Sequence, residues 1–168
     1  MDATPALVEV GRALIAVSLE AVLIGNAAAA LQGAPVTTVD FDFLFRGTRR
    51  NLAKLRDLAD RLRATVLRPY YPASGLFRVT RDDDGLQVDF MTSIHGVKSF
   101  EGVRDRATPM NVDGTTILVA SLDDVIRSKK AARRPRDLAV LEVLEKAREA
   151  KARQAGSKAA PRRARPRK

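Results

Sequence analysis

Val22-Leu23-Ile24-Gly25-Asn26, followed a short way downstream by Thr37-Thr38-Val39-Asp40-Phe41-Asp42-Phe43, is the stretch on which the fold turns. In an extended strand, positions i and i+2 share a face. Asp40 and Asp42 are therefore predicted to project together while Val39, Phe41 and Phe43 pack the other way. Carboxylates that close repel, and a hard divalent cation such as Mg2+, bound through one or two carboxylates and substrate oxygens, relieves the repulsion. Taken alone, the pair reads equally as a half-solvated strand that shows two acids to water.

The upstream segment separates these readings. An apolar strand from Ala21 to Ile24 that ends in glycine and opens a short helix, Asn26 to Leu31, leaves free backbone N–H groups at the helix start, a ready anion site. A phosphate held there and a metal held by Asp40 and Asp42 are the two halves of a nucleoside triphosphate site.

The chain has 168 residues, a formal charge of +10 and no cysteine. That length fits one domain with a real core. From Lys151 to Lys168 there are eight Lys or Arg and no acid, so subtracting them from +10 leaves residues 1–150 at +2. The sequence predicts a folded domain over residues 1–150 and a disordered basic tail over 151–168, which lacks the large apolar residues needed to offset ordering. Such a charge run suits phosphate backbones, with RNA the implied partner, or is merely solubilising. Absence of cysteine excludes disulfides and thiolate metal sites and permits a cytoplasmic location. Glu20, Gly25, Asn26, Gln32 and Gly33 interrupt the apolar run from Ala13 to Val36, which argues against a membrane span, and no basic segment resembling a secretory signal precedes it.

Further along, helical spacing marks Ala6 to Leu19. A metal-facing strand is expected over Thr37–Phe45. An amphipathic helix runs from the Thr48 cap to about Arg63, with Leu52, Leu55, Leu58, Ala59 and Leu62 as its buried stripe. A strand is expected near Thr65–Leu67. Gly75–Thr80 and Leu86–Thr92, joined by Arg81-Asp82-Asp83-Asp84-Gly85, form a hairpin. Asp89 faces away from Leu86, Val88 and Phe90, so it meets Asp40 and Asp42 if the strands are neighbours, as a third metal ligand or as the base for a hydroxyl nucleophile; otherwise it is a surface acid. A last strand, Thr115–Val119, leads through a Ser121 cap into a helix to about Ala132, and Pro135 opens another to about Ala150. Strands first and helices last make an α+β domain with a mixed sheet. His95 is the only histidine and reads as a loop residue.

Val22-Leu23-Ile24-Gly25-Asn26 with Gln32-Gly33-Ala34-Pro35, the acids Asp40 and Asp42, Val88-Asp89-Phe90, and Ser128-Lys129-Lys130-Ala131-Ala132-Arg133-Arg134-Pro135-Arg136-Asp137 occur in that order across about residues 20–145. In this the chain resembles the minimal nucleotidyltransferase-fold proteins of the AbiEii and MenT type, bacterial nucleotidyltransferase-like toxins. The resemblance implies a polymerase-β-like sheet flanked by helices. It also implies Mg2+ on Asp40 and Asp42, triphosphate oxygens cradled by Gly25 and Asn26, and Lys129 with Asp137 completing the site from the C-terminal helices. With Asp89, these are the expected catalytic, nucleotide-binding and metal-binding residues. An NTP co-substrate, an RNA acceptor such as the 3′ end of tRNA, and a cognate antitoxin follow as implied partners. Asn26 stands where relatives commonly carry serine or a second glycine, and Val36 where many carry arginine. These departures leave open a non-catalytic RNA- or protein-binding module, and a small-molecule (antibiotic) nucleotidyltransferase is a further alternative.

Overall fold

A computed structural model of the chain describes residues 4–38 and 40–159, so Val39 and the arginine-rich stretch 160–168 lie outside the described residues. The elements in chain order are α1 (Thr4–Ala16), β1 (Ala21–Ile24), α2 (Gly25–Leu31), β2 (Phe41–Phe45), α3 (Arg49–Arg61), β3 (Thr65–Leu67) and β4 (Leu76–Arg81). There follow β5 (Leu86–Met91), α4 (Phe100–Arg106), β6 (Thr108–Val112), β7 (Thr115–Val119), α5 (Leu122–Ala132) and α6 (Pro135–Ala159). The strands form one seven-stranded sheet in the order β3-β4-β5-β2-β1-β7-β6. β1 pairs with β7 and β2 with β5 in parallel, and the remaining pairs are antiparallel. The sheet is mixed and the domain α+β.

Local chemistry explains where the helices begin. Thr48 Oγ1 accepts from the Asn51 amide at 3.2 Å and Ser121 Oγ from the Asp124 amide at 3.2 Å, so each hydroxyl satisfies one of the amides a helix start leaves unpaired. Asp124, 1% exposed, accepts two bonds from Arg106 and one from Arg127. It thereby ties α4 to the first turn of α5. Arg133 at φ +52 ends α5, and Pro135, with no amide hydrogen to lose, starts α6.

Alternation along the central strands sorts acids from rings. Phe41, Phe43 and Phe45 of β2 and Val88 and Phe90 of β5 are buried. Phe43 and Phe90 stack at 5.4 Å, and Phe45 meets both Phe77 and Phe90 edge-on at 6.0 Å. Asp42 and Asp89 alternate with these rings and so take the opposite face. The aromatic side of β2 and β5 anchors the strands that carry the acids.

Three features differ from the sequence expectation. β2 starts at Phe41, so Asp40 precedes the strand instead of sharing it with Asp42. The helix expected to stop near Ala150 continues through Ala159, making the first part of the segment read as a disordered tail helical. Its Lys, Arg, Ala and Gln residues are good helix formers, and extending an existing helix avoids the cost of nucleation. Lys151 Nζ also donates to Gln32 Oε1 at 2.8 Å. Finally, α4 and β6 are additional: α4 is a short helix capped by Ser99 Oγ, which accepts from the Gly102 amide. β6 is the outermost strand, where Pro109 is tolerated. Among the described residues no helix is long and apolar enough to cross a membrane.

Because Phe43 is fully buried and stacked, Phe43→Ala should cost about 3–5 kcal/mol of unfolding free energy. Urea denaturation followed by circular dichroism measures this, and a loss under 1 kcal/mol, on the order of an exposed-site change, would contradict the assigned core.

Candidate active site

Gly25 lies at φ +68, and a Cβ built on it would stand 2.8 Å from Asp42 Oδ2. Backbone conformation and space each demand glycine here. The turn therefore brings the start of α2 directly against a carboxylate. Asn26 follows; its Nδ2 donates to the Thr37 carbonyl at 3.4 Å, tying α2 to the segment that leads into β2. Its Oδ1 is buried without a hydrogen-bond partner, alone in this among side-chain atoms of the described residues. An unpaired buried acceptor costs about 1–3 kcal/mol, a cost that a ligand's donor or cation would remove. The Asn26 amide nitrogen is thus engaged by the Thr37 carbonyl, and it is the oxygen that is left uncommitted.

The acids sit in a row set by strand register. Ile24 of β1 is opposite Asp42 of β2, Asp42 is opposite Asp89 of β5, and Asp89 is opposite Arg78 of β4. Partners in register lie on one face of the sheet, so Asp42, Asp89 and Arg78 are aligned across three strands. Burial pushes the Asp42 carboxyl up to about 6, with the charges of Asp89 and Asp40 adding and those of Lys129 and Arg134 opposing. Asp89 is held by two bonds, Arg78 Nε to Oδ1 and Nη2 to Oδ2, each 2.8 Å. That hydrogen-bonded pairing raises the Arg78 pKa further. Asp40 is exposed, and its carbonyl accepts from Thr38 Oγ1 at 2.7 Å.

Facing the row are the ends of α5 and α6. Lys129 Nζ lies 3.0 Å from Asp137 Oδ1, and Arg134 Nε 2.5 Å from Asp137 Oδ2. Burial pushes the Asp137 carboxyl up, but the bonds and charges of Arg134 and Lys129 outweigh it and hold it below the ordinary value. The Lys129 side chain is only 11% exposed, so it belongs to the site and not to a solvated helix face. Arg136 also lines the space and forms no ion pair among the described residues.

Gly25, Asn26, Asp40, Asp42, Asp89, Lys129 and Asp137 all line one cleft of about 280 Å3. His95 is exposed and does not line it. Sequence reasoning did not single out Arg78, Arg134 or Arg136. The hairpin turn contained the missing signal: counting back from the Arg81–Leu86 pair puts Arg78 opposite Asp89. Arg134 and Arg136 carried no such marker within a run of basic residues.

Among the described residues, no three Asp, Glu, His or Cys side chains converge closely enough to hold a metal ion as placed. As placed, Asp40, Asp42 and Asp89 form a looser arrangement than the expected gathering around one point. Asp40 lies off the end of β2, and both oxygens of Asp89 are turned to Arg78. The donor set is nonetheless all oxygen, with carboxylates plus the unpartnered Asn26 Oδ1, which is chemistry suited to Mg2+ or Mn2+ and not to thiolate-seeking metals.

An aspartate whose folded-state pKa is raised destabilises the fold when ionised. The penalty is fully present above about pH 6, shrinks as pH falls through 6, and is gone below the ordinary value of 3.8. In chelator-treated protein, Asp42→Asn should therefore add roughly 2–3 kcal/mol of stability at pH 8 and little near pH 4. Denaturation midpoints at the two pH values check this; equal gains at both would contradict the assigned environment of Asp42.

Comparison with solved structures finds similar folds. The chain is similar to the antibiotic-resistance factor ANT(2″)-Ia, with a TM-score of 0.60 and 17% identity over 94% of this chain and 97% of that one. It is similar to the lincosamide antibiotic adenylyltransferase LnuA (TM-score 0.56, 10% identity, 79% of this chain and 89% of that one). A putative nucleotidyltransferase from Thermotoga maritima is similar at TM-score 0.56 and 19% identity, over 90% of this chain and 92% of that one. No curated protein sequence gives a significant match. With the glycine turn, the acid row and the lysine of α5 in one cleft of this fold, and a family profile matching residues 3–159, the chain belongs to the nucleotidyl transferases described as being of unknown function (DUF2204).

Proposed function

We propose that the protein transfers a nucleoside monophosphate from an NTP to an acceptor hydroxyl. The observation that carries this reading is the register pairing of Asp42 with Asp89 beside Gly25, facing Lys129 across one cleft. Asp40, Asp42 and Asp89 would hold Mg2+, which when bound supplies positive charge to the transferring phosphoryl group. Gly25 and Asn26 flank the triphosphate. Lys129, a compact point charge kept in place by Asp137, serves the β- or γ-phosphate, and Arg136, in no ion pair among the described residues, serves the same purpose. The acceptor oxygen attacks the α-phosphorus, the bond to the bridging oxygen breaks, and pyrophosphate departs with that electron pair. The hydroxyl proton passes to a carboxylate, for which Asp89 is the candidate in the row. Positioning and charge stabilisation account for most of the acceleration expected of such a site.

RNA, such as the 3′ end of tRNA, is the proposed acceptor. Its support is the charge of the chain's end, where residues 160–168 include Arg162, Arg163, Arg165, Arg167 and Lys168. A toxin role with a cognate antitoxin accompanies this reading, from the resemblance to AbiEii and MenT proteins. A small-molecule acceptor is the second reading, favoured by the likeness to the antibiotic-resistance factor over nearly the whole of both chains.

Purified protein given labelled NTPs with Mg2+ should label bulk RNA, and Asp42→Asn should lower transfer at least about 100-fold. Absence of transfer from every NTP to either RNA or small-molecule hydroxyls would refute the enzymatic reading. In cells, growth arrest on expression that Asp42→Asn relieves supports the toxin role; unimpaired growth under the active protein contradicts it.

Removing residues 160–168, and not the helical 151–159 that reach Gln32 through Lys151, distinguishes the acceptors. For RNA, transfer should weaken and its salt dependence flatten, each lost phosphate contact reducing the slope by about 0.7. Unchanged RNA labelling after truncation would count against the tail as an acceptor contact.

A further inference from the structure

Arg78 occupies a position in the acid row that the transfer reaction, as proposed above, does not by itself explain. It is the register partner of Asp89, which is in turn the partner of Asp42, so one cation and two carboxylates lie side by side across β4, β5 and β2. Its Nε and Nη2 take both oxygens of Asp89 at 2.8 Å, while Nη1 makes no hydrogen bond among the described residues. The Asp89 side chain is 11% exposed and that of Arg78 32%, so the guanidinium is the more open member of the pair. Both line the cleft with Gly25, Lys129 and Arg136.

A guanidinium bound to both oxygens cancels the charge of the acid and occupies a lone pair on each of them. A divalent ion at Asp42 and Asp89 must then compete with a cation already in place. From this we infer that Arg78 is an exchangeable counter-ion for Asp89: a positioning residue that holds the acid in the ligand-free protein and moves to the polyphosphate when metal and nucleotide arrive. The exchange keeps every charge matched. Asp89 trades a monocation for a dication, and Arg78 trades a carboxylate for a phosphate, which its planar fork also fits. Metal binding is thereby made conditional on nucleotide, because only nucleotide offers the released guanidinium a new anion. This inference rests on the nucleotidyl transfer reading and on the expected carboxylate metal site.

The test is Mn2+ binding to the full chain without nucleotide, followed by electron paramagnetic resonance of the free ion. With its competitor removed, Arg78→Gln should bind Mn2+ about tenfold more tightly than the unaltered protein, and Arg78→Lys, which cannot hold both oxygens, by a smaller factor. In an Asp89→Asn background, Arg78→Gln should give no gain, because the acid being competed for is gone. A merely structural role predicts the opposite sign, since a disturbed site binds metal less well. If Arg78→Gln does not fold, as judged by circular dichroism, the Arg78→Lys gain decides. Binding by the unaltered protein with no tightening in the folded Arg78 variants, or a gain that persists with Asp89→Asn, overturns the counter-ion role alone. No Mn2+ binding by any variant overturns it together with the metal-dependent reading.

Discussion

Repulsion among carboxylates that the fold forces together is the constraint on which the site depends. Asp42 is partly buried with Asp89 at its register position and Asp40 nearby, and its raised pKa expresses how poorly that place suits a negative charge. A shift of about two units corresponds to roughly 3 kcal/mol, a sizeable share of the 5–15 kcal/mol by which domains are commonly stable. The opposite face of the same strands carries Phe41, Phe43, Phe45 and Phe90, all buried. Apolar packing on one side holds in place an electrostatic arrangement that would otherwise separate.

The basic groups are distributed so as to moderate this repulsion without abolishing it. Arg78 is committed to Asp89, and Lys129 and Arg134 to Asp137, so the cations nearest the row are themselves already paired. Asp42 receives only their more distant attraction. Asp137, 2% exposed, fixes Lys129 where α5 and α6 meet, which is a positional role distinct from that of the acids in the sheet. A cleft built in this way keeps one carboxylate undercompensated while its neighbours are paired.

The sequence made much of this legible because the relevant signals are local. Alternation exposed the acid-bearing faces of β2 and β5, the glycine-closed turn exposed the hairpin, and Thr48 and Ser121 marked helix starts through their hydroxyls. What it left hidden depends on long-range arrangement. Whether β2 and β5 are neighbours is decided by a sheet order that leaps from Phe45 to Leu86, with α3 and two strands between them in the chain. The early end of β2 was hidden because alternating Thr37–Phe45 reads as strand throughout, although the ladder with β1 stops at Asp42 and that with β5 at Phe41. Asp40 lies beyond the last ladder pair, where its carbonyl accepts from Thr38 Oγ1 instead. β6 was masked by Pro109, whose cost disappears only at a sheet edge.

Gly25 shows why the pieces cannot vary independently. A methyl group there would meet Asp42 Oδ2 at 2.8 Å, so the turn and the acid are fitted to one another, and the positive φ that permits the fit also aims α2 at the row. Asn26, the next residue, donates from its amide nitrogen to the Thr37 carbonyl and leaves its buried oxygen without a partner among the described residues. A serine in that place would be too short to span to Thr37 while presenting an acceptor. The asparagine is therefore a bracing residue as much as a ligand-facing one. Asn26 thereby ties the start of α2 to the approach to Asp40, whose carbonyl accepts from Thr38 Oγ1.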